Sequence, residues 1–205
     1  MKHCGTKEIN TERLLLRRFT VEDAEDMFRN LCSDSRVNEF LTWKLHDSIN
    51  DTLELMKSFV ARYNNPDRYC WAIVEKASNE VIGTVAAPTV KERTETVEVT
   101  YAIGHKWWGK GITAEALKAV IGFLFNEVGV NRIEAGHDVN NPNSGRVMEK
   151  AGMRKEGVLR QAGRNNRGLF DLAMYSIFGK IPVCRDYYSL VFCINEGDYG
   201  EKLCR

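Results

Sequence analysis

The chain has 205 residues, 43% of them hydrophobic and 28% charged, enough for one domain with its own core and unlike disordered or collagen-like compositions. Twenty-nine Lys and Arg against 28 Asp and Glu leave a net charge of +1, without the basic excess of a dedicated nucleic-acid binder. The longest apolar run, Ala119 to Phe125, is interrupted by Gly122 and falls well short of the roughly 20 residues that span a bilayer, so no membrane insertion is expected.

The first element in chain order is a strand over Arg13–Phe19. Thr20 and Asp23 then form a capping box with the shorter acid, opening a helix whose buried face is Ala24, Met27, Phe28 and Leu31. A second helix begins at Asp47 or Ser48, places Ile49, Leu53, Met56, Phe59, Val60 and Tyr63 on one side, and stops at Asn64-Asn65-Pro66. Tyr69–Glu75, Val81–Ala87 and Thr94–Ile103 are rich in Val, Ile, Thr and aromatics and predict an antiparallel meander. Ile112–Val128 carries a nearly unbroken helical stripe closed by Gly129. Arg132–Val139 reads as a short strand. Asn141-Pro142 then reads as an N-cap with proline in the first helical turn, and Gly152 ends that helix. Met153–Leu159 and Leu169–Phe178 supply two last strands. The resulting order is β-α-α-β-β-β-α-β-α-β-β, a single α/β (α+β) domain over residues 8–178 with a mixed, mostly antiparallel sheet. Residues 179–205 are read as an extension that includes an apolar stretch at Tyr187–Ile194 and a polar tail.

The cysteines at 4, 32, 70, 184, 193 and 204 form no C-x-x-C pair and have no histidine at zinc-finger spacing. The four histidines are dispersed, and residues 1–8 lack an apolar signal region. These features point to a cytoplasmic protein with reduced thiols and no metal.

The chemistry concentrates where a strand ending at Ile103 meets the loop Gly104-His-Lys-Trp-Trp-Gly-Lys-Gly111 and a helix starting near Ile112. Glycines at 109 and 111 expose the main chain, and first-turn amides without intrahelical partners favour an anion such as phosphate. A plain glycine-capped turn is the simpler alternative. The Walker A pattern fails because position 111 is Gly and offers no hydroxyl for magnesium. A dinucleotide fingerprint fits Gly109, Gly111 and Ala114 but is preceded by a meander instead of the first strand of a βαβ unit. Trp107 and Trp108 are expected to pack under the loop, with stacking on a ligand as the alternative.

Trp108-Gly-Lys-Gly-Ile-Thr113 followed by Glu115-Ala116 resembles the acetyl-CoA loop of the GNAT superfamily, and more closely its RimJ/RimL-type branch. Further matching pieces follow in the family's order: Thr11-Glu-Arg-Leu-Leu-Leu-Arg17, Gly83, Asn141-Pro-Asn-Ser144, Met148-Glu-Lys-Ala-Gly-Met153 with Glu156-Gly157, and Asp171–Tyr175. The resemblance implies that main-chain groups of Tyr101 and Ile103 hold the pantetheine arm and acetyl carbonyl. It makes Trp108, Gly109, Lys110, Gly111, Ile112, Thr113 and Ala114 the cofactor loop, with the amides of Lys110, Gly111, Thr113 and Ala114 receiving the pyrophosphate. It also places Asn141 on the cofactor arm, although that residue serves equally as a helix cap.

The sequence departs from the superfamily pattern in three places, the first being Trp108 where Gln or Arg is usual. Thr113 stands where a small Gly or Ala is usual, and Met148 stands where many members carry a tyrosine that protonates the leaving thiolate. Ser144, one turn before Met148, is the candidate proton donor, and it serves equally as a backbone-bonding serine near a helix start. Glu98, three residues before Tyr101, is the candidate base, against the alternative of a solvated strand residue. His137 is expected to be a core or rim histidine. The implied activity is N-acetyl transfer from acetyl-CoA to a primary amine, either a protein N-terminus or a small amine, by direct attack in a ternary complex. The alternative is a CoA-binding module that has lost turnover. The expected partners are acetyl-CoA and the amine acceptor, with no nucleic acid and no membrane, in a monomer or homodimer. The acceptor would be chosen by the two early helices and by Arg160–Gly168, where Arg164 and Arg167 are the charged candidates.

Overall fold

The computed structural model describes residues 1–179. The chain starts with a short hairpin, β1 (Ile9–Asn10) and β2 (Leu14–Arg17). A 3-10 turn at Val21–Asp23 leads into α1 (Ala24–Met27) and a wider π turn at Phe28–Cys32, so the first helix is made of three kinds of turn. Its capping box is present: the Thr20 amide donates to Asp23 Oδ2 at 2.8 Å, and Arg17 grips the same carboxylate through both terminal nitrogens. The short helix α2 (Ser35–Asn38), capped by the Asp34 side chain, has no counterpart in the sequence reading.

Helix α3 (Ile49–Arg62) begins at Ser48, whose amide donates to Asp51, as its box requires. Its predicted face needs correction. Thr52 and Met56 are wholly buried, whereas Ile49 and Val60 are 45% and 39% exposed. The inward line runs through buried Thr52 and Met56 to half-buried Phe59 and Tyr63; Val60 lies about 100° round from Phe59, and Ile49 belongs to a solvent-facing first turn.

Strands β3 (Tyr69–Glu75), β4 (Glu80–Lys91) and β5 (Thr96–Ile103) form the expected antiparallel meander, with a bulge in β4 between Ala86 and Thr89. Helix α4 (Ile112–Phe123) continues as a π turn through Val128 and is stopped by Gly129 at φ 74°. Then come β6 (Arg132–Asp138), α5 (Pro142–Lys150), β7 (Arg154–Asn165) and β8 (Gly168–Phe178). The eight strands lie in the order β1-β2-β3-β4-β5-β6-β8-β7, and every neighbouring pair is antiparallel except β5 with β6. The apolar stretch expected at Tyr187–Ile194 lies outside the described residues, as do Cys184, Cys193 and Cys204.

Alternation along the strands builds a core on each face of the sheet. Trp71, Ile73, Val97, Val99 and Ile103 face α4 and α5, meeting Leu117, Val120 and Met148. Ala72, Val74, Val81 and Ala102 face α1 and α3, meeting Met27, Leu31 and Met56. β4 runs so close to β5 that a Cβ on Gly83 would stand 2.4 Å from the Ala102 carbonyl oxygen and 2.9 Å from Ile103 Cα. Among the described residues no helix is long and apolar enough to cross a membrane.

Candidate active site

The site begins with a broken ladder. β4 stays paired with β5 as far as Ile103, but β6 pairs with β5 only at Thr96–Arg132, Val97–Ile133 and Glu98–Glu134. Beyond Glu98 the two parallel strands separate, leaving a wedge between Val99–Ile103 and Ala135–Asp138. The Gly104 amide donates to the Ile82 carbonyl, so by antiparallel alternation Ala102 and Thr100 spend their main-chain groups on β4. Tyr101 and Ile103 turn theirs into the wedge. The Ile103 carbonyl is already taken there by the Trp108 indole N–H at 3.0 Å, which leaves the Ile103 amide as its free group.

At the wedge's upper end the chain passes through a 3-10 turn at His105–Trp107 into the glycine loop. Trp107 is buried, as expected. Trp108 is not packed beneath the loop: the residue is 43% exposed and its ring lies against His105 with centroids 4.8 Å apart, because its indole reaches back to Ile103. Gly109 and Gly111 both adopt φ 75°, a left-handed conformation that costs other residues about 1–2 kcal/mol. A Cβ on Gly109 would meet nothing within 4 Å, so backbone conformation and not crowding requires glycine there. The bonding of α4 starts with the Glu115 amide on the Gly111 carbonyl. The amides of Ile112, Thr113 and Ala114 therefore have no intrahelical partner, and the side chains of those three residues are turned into the fold.

A clamp absent from the sequence reading holds this loop. Glu115 accepts from the Thr11 hydroxyl at 2.6 Å, from the Arg13 amide at 3.0 Å and from Arg13 Nε at 2.7 Å, while Arg13 Nη1 donates to the Lys110 carbonyl at 3.0 Å. Burial alone would raise the Glu115 carboxyl; the bonds from Thr11 and Arg13 outweigh it and hold the group below its ordinary value. The signal was present in Thr11-Glu-Arg13 and Glu115, but nothing local joins positions about 100 residues apart.

Across the wedge stands the start of α5. Asn141 occupies the N-cap position, yet its side chain makes no capping bond, so the reading of it as a side-chain cap is corrected. It is half-buried. Ser144 is bonded by the phenol of Tyr101, which lies 2.7 Å from the Ser144 carbonyl and 2.9 Å from its hydroxyl. Met148 is 1% exposed and belongs to the core. Glu98 lies on the opposite face of β5 from Tyr101, three residues away, beside Thr89 and Glu134; Lys91 and Arg132 pair with Glu134. Ser144 and Glu98, the two candidate catalytic residues, are thus not brought together. Ser144 stands in the first turn of α5, and Glu98 sits where the wedge closes.

His137 directs Nδ1 to the Asp138 carbonyl at 2.7 Å, so that nitrogen carries the proton. Its Nε2 is buried without a partner, against Gly145, where a Cβ would stand 2.7 Å from it. Asp138, buried at the end of β6, accepts from the Asn140 amide and side chain and from Asn165 Nδ2. Asn166 then donates to the Asn38 and Trp43 carbonyls, and Arg167 pairs with Glu39 at 3.0 Å. The turn between β7 and β8 is thereby tied to both the wedge and the segment after α2. A groove of about 360 Å³ lies between α2 and that turn, lined by Ser35, Arg36, Asn38, Glu39, Asn166 and Arg167. Cys32 and Cys70 are free thiols, each pushed by burial to about 11, and neither adjoins the wedge.

Residues 13–154 match the family model described as an acetyltransferase (GNAT) domain. The chain is 31% identical over 169 residues to the uncharacterized N-acetyltransferase YoaA of Bacillus subtilis (strain 168), covering 82% of this chain and 95% of the relative. It is 23% identical over 168 residues to the ribosomal-protein-serine acetyltransferase of Escherichia coli (strain K12), covering 81% and 93%. The crystal structure of a GNAT-family acetyltransferase from Bacillus anthracis superposes with a TM-score of 0.73 at 27% identity, covering 84% of this chain and 98% of that one.

Proposed function

The chain belongs to the GNAT acetyltransferase family and is an acetyl-CoA-dependent acetyltransferase, and from that premise we propose that its acceptor is the free α-amino group of a polypeptide, acetylated by direct attack in a ternary complex. The observation that carries this reading is the wedge between β5 and β6, where the two strands part beyond Glu98. A thiolate can depart toward α5 on one face while an amine arrives from the other. Similarity to a ribosomal-protein-serine acetyltransferase and the open polar groove beside the β7–β8 turn support a polypeptide over a small amine.

Bound acetyl-CoA supplies an activated thioester. The chain's residues fit it: unpartnered amides at the start of α4, left-handed glycines at 109 and 111 with open space over Gly109, and an Asn141 side chain free of any capping bond. In this proposal the amides of Lys110, Gly111, Thr113 and Ala114 hold the pyrophosphate, with Trp108, Gly109 and Ile112 completing the loop. Main-chain groups of Tyr101 and the amide of Ile103 hold the pantetheine arm and polarise the acetyl carbonyl, and Asn141 binds the arm from the opposite wall. The amine nitrogen forms its bond to the acetyl carbon as the carbon–sulfur bond breaks. Ser144 gives its hydroxyl proton to the leaving sulfur, and Glu98 takes the proton shed by the amine through water.

Calorimetric titration with acetyl-CoA, followed by thiol release with Ser- and Ala-initiated peptides and with small amines, tests the proposal. Preference for the peptides supports it, and preference for a small amine refutes the acceptor class. Absence of acetyl-CoA binding refutes the assignment of the loop.

A further inference from the structure

Tyr101 was assigned through its main chain, but its side chain also bonds β5 to α5 across the wedge. Its phenol oxygen lies 2.7 Å from the Ser144 carbonyl and 2.9 Å from Ser144 Oγ. A carbonyl can only accept, so the single phenol proton is directed to it. The serine hydroxyl is then the donor in the second contact. In the resting site, then, Ser144 gives to Tyr101 and Tyr101 gives to the Ser144 carbonyl. Burial, only partly offset by the bond from Ser144, pushes the phenol well above its usual value, so it stays protonated and remains a donor.

We propose that the Tyr101 phenol is a positioning residue for the leaving-group proton, fixing the Ser144 rotamer and stabilising its oxygen when the proton departs. The inference rests on the reading of Ser144 as donor. As the carbon–sulfur bond breaks, the Ser144 hydroxyl turns its proton from Tyr101 to the leaving sulfur, the O–H bond breaks and an S–H bond forms. The phenol O–H turns from the Ser144 carbonyl to the serine oxygen as negative charge develops on it. Water returns a proton to Ser144, and the phenol swings back. Tyr101 thus performs part of what a phenol at position 148 would do, from a different strand and at one remove from the sulfur.

The test compares Tyr101→Phe, Ser144→Ala and the double variant, using acetyl-CoA and the most active amine found by thiol release. Tyr101→Phe is expected to lower kcat about tenfold, the effect of one hydrogen bond to a charged oxygen, with the acetyl-CoA Kd and the amine KM unchanged. The double variant is expected to be no slower than Ser144→Ala, because Tyr101 acts only through the serine. If Ser144→Ala is slow and Tyr101→Phe retains wild-type kcat, Tyr101 has no such role. Losses that simply multiply in the double variant overturn it equally. If Ser144→Ala itself turns over normally, the reading of Ser144 fails and the inference falls with it. Should Tyr101→Phe fold poorly, fluorotyrosine at 101 keeps the bond while changing its acidity, and an unchanged kcat there also overturns the proposal.

Discussion

The Arg13 guanidinium lies 2.7 Å from the Glu115 carboxylate and 3.0 Å from the Lys110 carbonyl, so one side chain joins the first hairpin to both the glycine loop and the start of α4. Arg13→Ala is therefore expected to weaken acetyl-CoA binding about tenfold, in line with loss of a charged hydrogen bond that orders the loop. Calorimetry measures this directly. An unchanged Kd would mean that the loop keeps its shape without the clamp.

Gly83 and Gly109 separate two reasons for glycine. Gly109→Ala meets open space and should cost about 1 kcal/mol for its left-handed backbone. Gly83→Ala drives a methyl into the main chain of β5 and should cost about 3 kcal/mol. Urea denaturation compares them. Equal losses would show that β5 yields to the added methyl.

Met148→Tyr tests the departure from the family pattern. Because Met148 is 1% exposed within the core, a phenol there overpacks the site at about 1–3 kcal/mol. A lower melting temperature without faster thiol release is expected. A gain in turnover would mean that α5 can rotate this position toward the wedge.

Asp138→Ala removes the acceptor shared by Asn140 and Asn165 and leaves a buried amide without its partner, at about 1–3 kcal/mol. The loosened β7–β8 turn should raise the acceptor KM while acetyl-CoA affinity holds. Steady-state kinetics with the best peptide distinguishes the two constants, and an equal loss in both would place Asp138 in the cofactor site.

Glu156 links stability to acid. The hydrogen bonds from Arg132 and then Ser176 lower its carboxyl to about 2 from an ordinary 4.5. A lowered value means the contribution is fully present above pH 4.5 and disappears as pH falls toward 2. The pair is partly exposed, which limits it to about 1 kcal/mol. Melting temperature against pH should therefore fall less steeply below 4.5 in Glu156→Gln than in the wild type.

The sequence was most legible where a local rule sufficed. Thr20 with Asp23 and Ser48 with Asp51 mark real helix starts, Gly129 ends α4, and the loop from Trp108 to Gly111 has the backbone that its glycines suggest. Legibility failed where distant residues meet. The Arg13–Glu115 clamp, the Tyr101–Ser144 bridge and the Asp138–Asn165 bond each join separate elements, and no spacing rule encodes them. Helix α2 is four residues long, too short to show a period. The α3 face was misread at Ile49 and Val60 because apolar residues there also lie on solvent-facing positions, which hydrophobicity alone does not distinguish.

The three-pair ladder between β5 and β6 has a mechanical consequence. Apart from the two-pair β1–β2 hairpin at the sheet's edge every other junction is longer, so this seam is where the sheet is expected to part first when it breathes. The block β6–β8–β7 can detach as a unit while the meander stays intact, and hydrogen exchange should show its amides opening at lower free energy than those of β3 and β4. A ligand seated in the seam would bridge both blocks and bring their opening energies together.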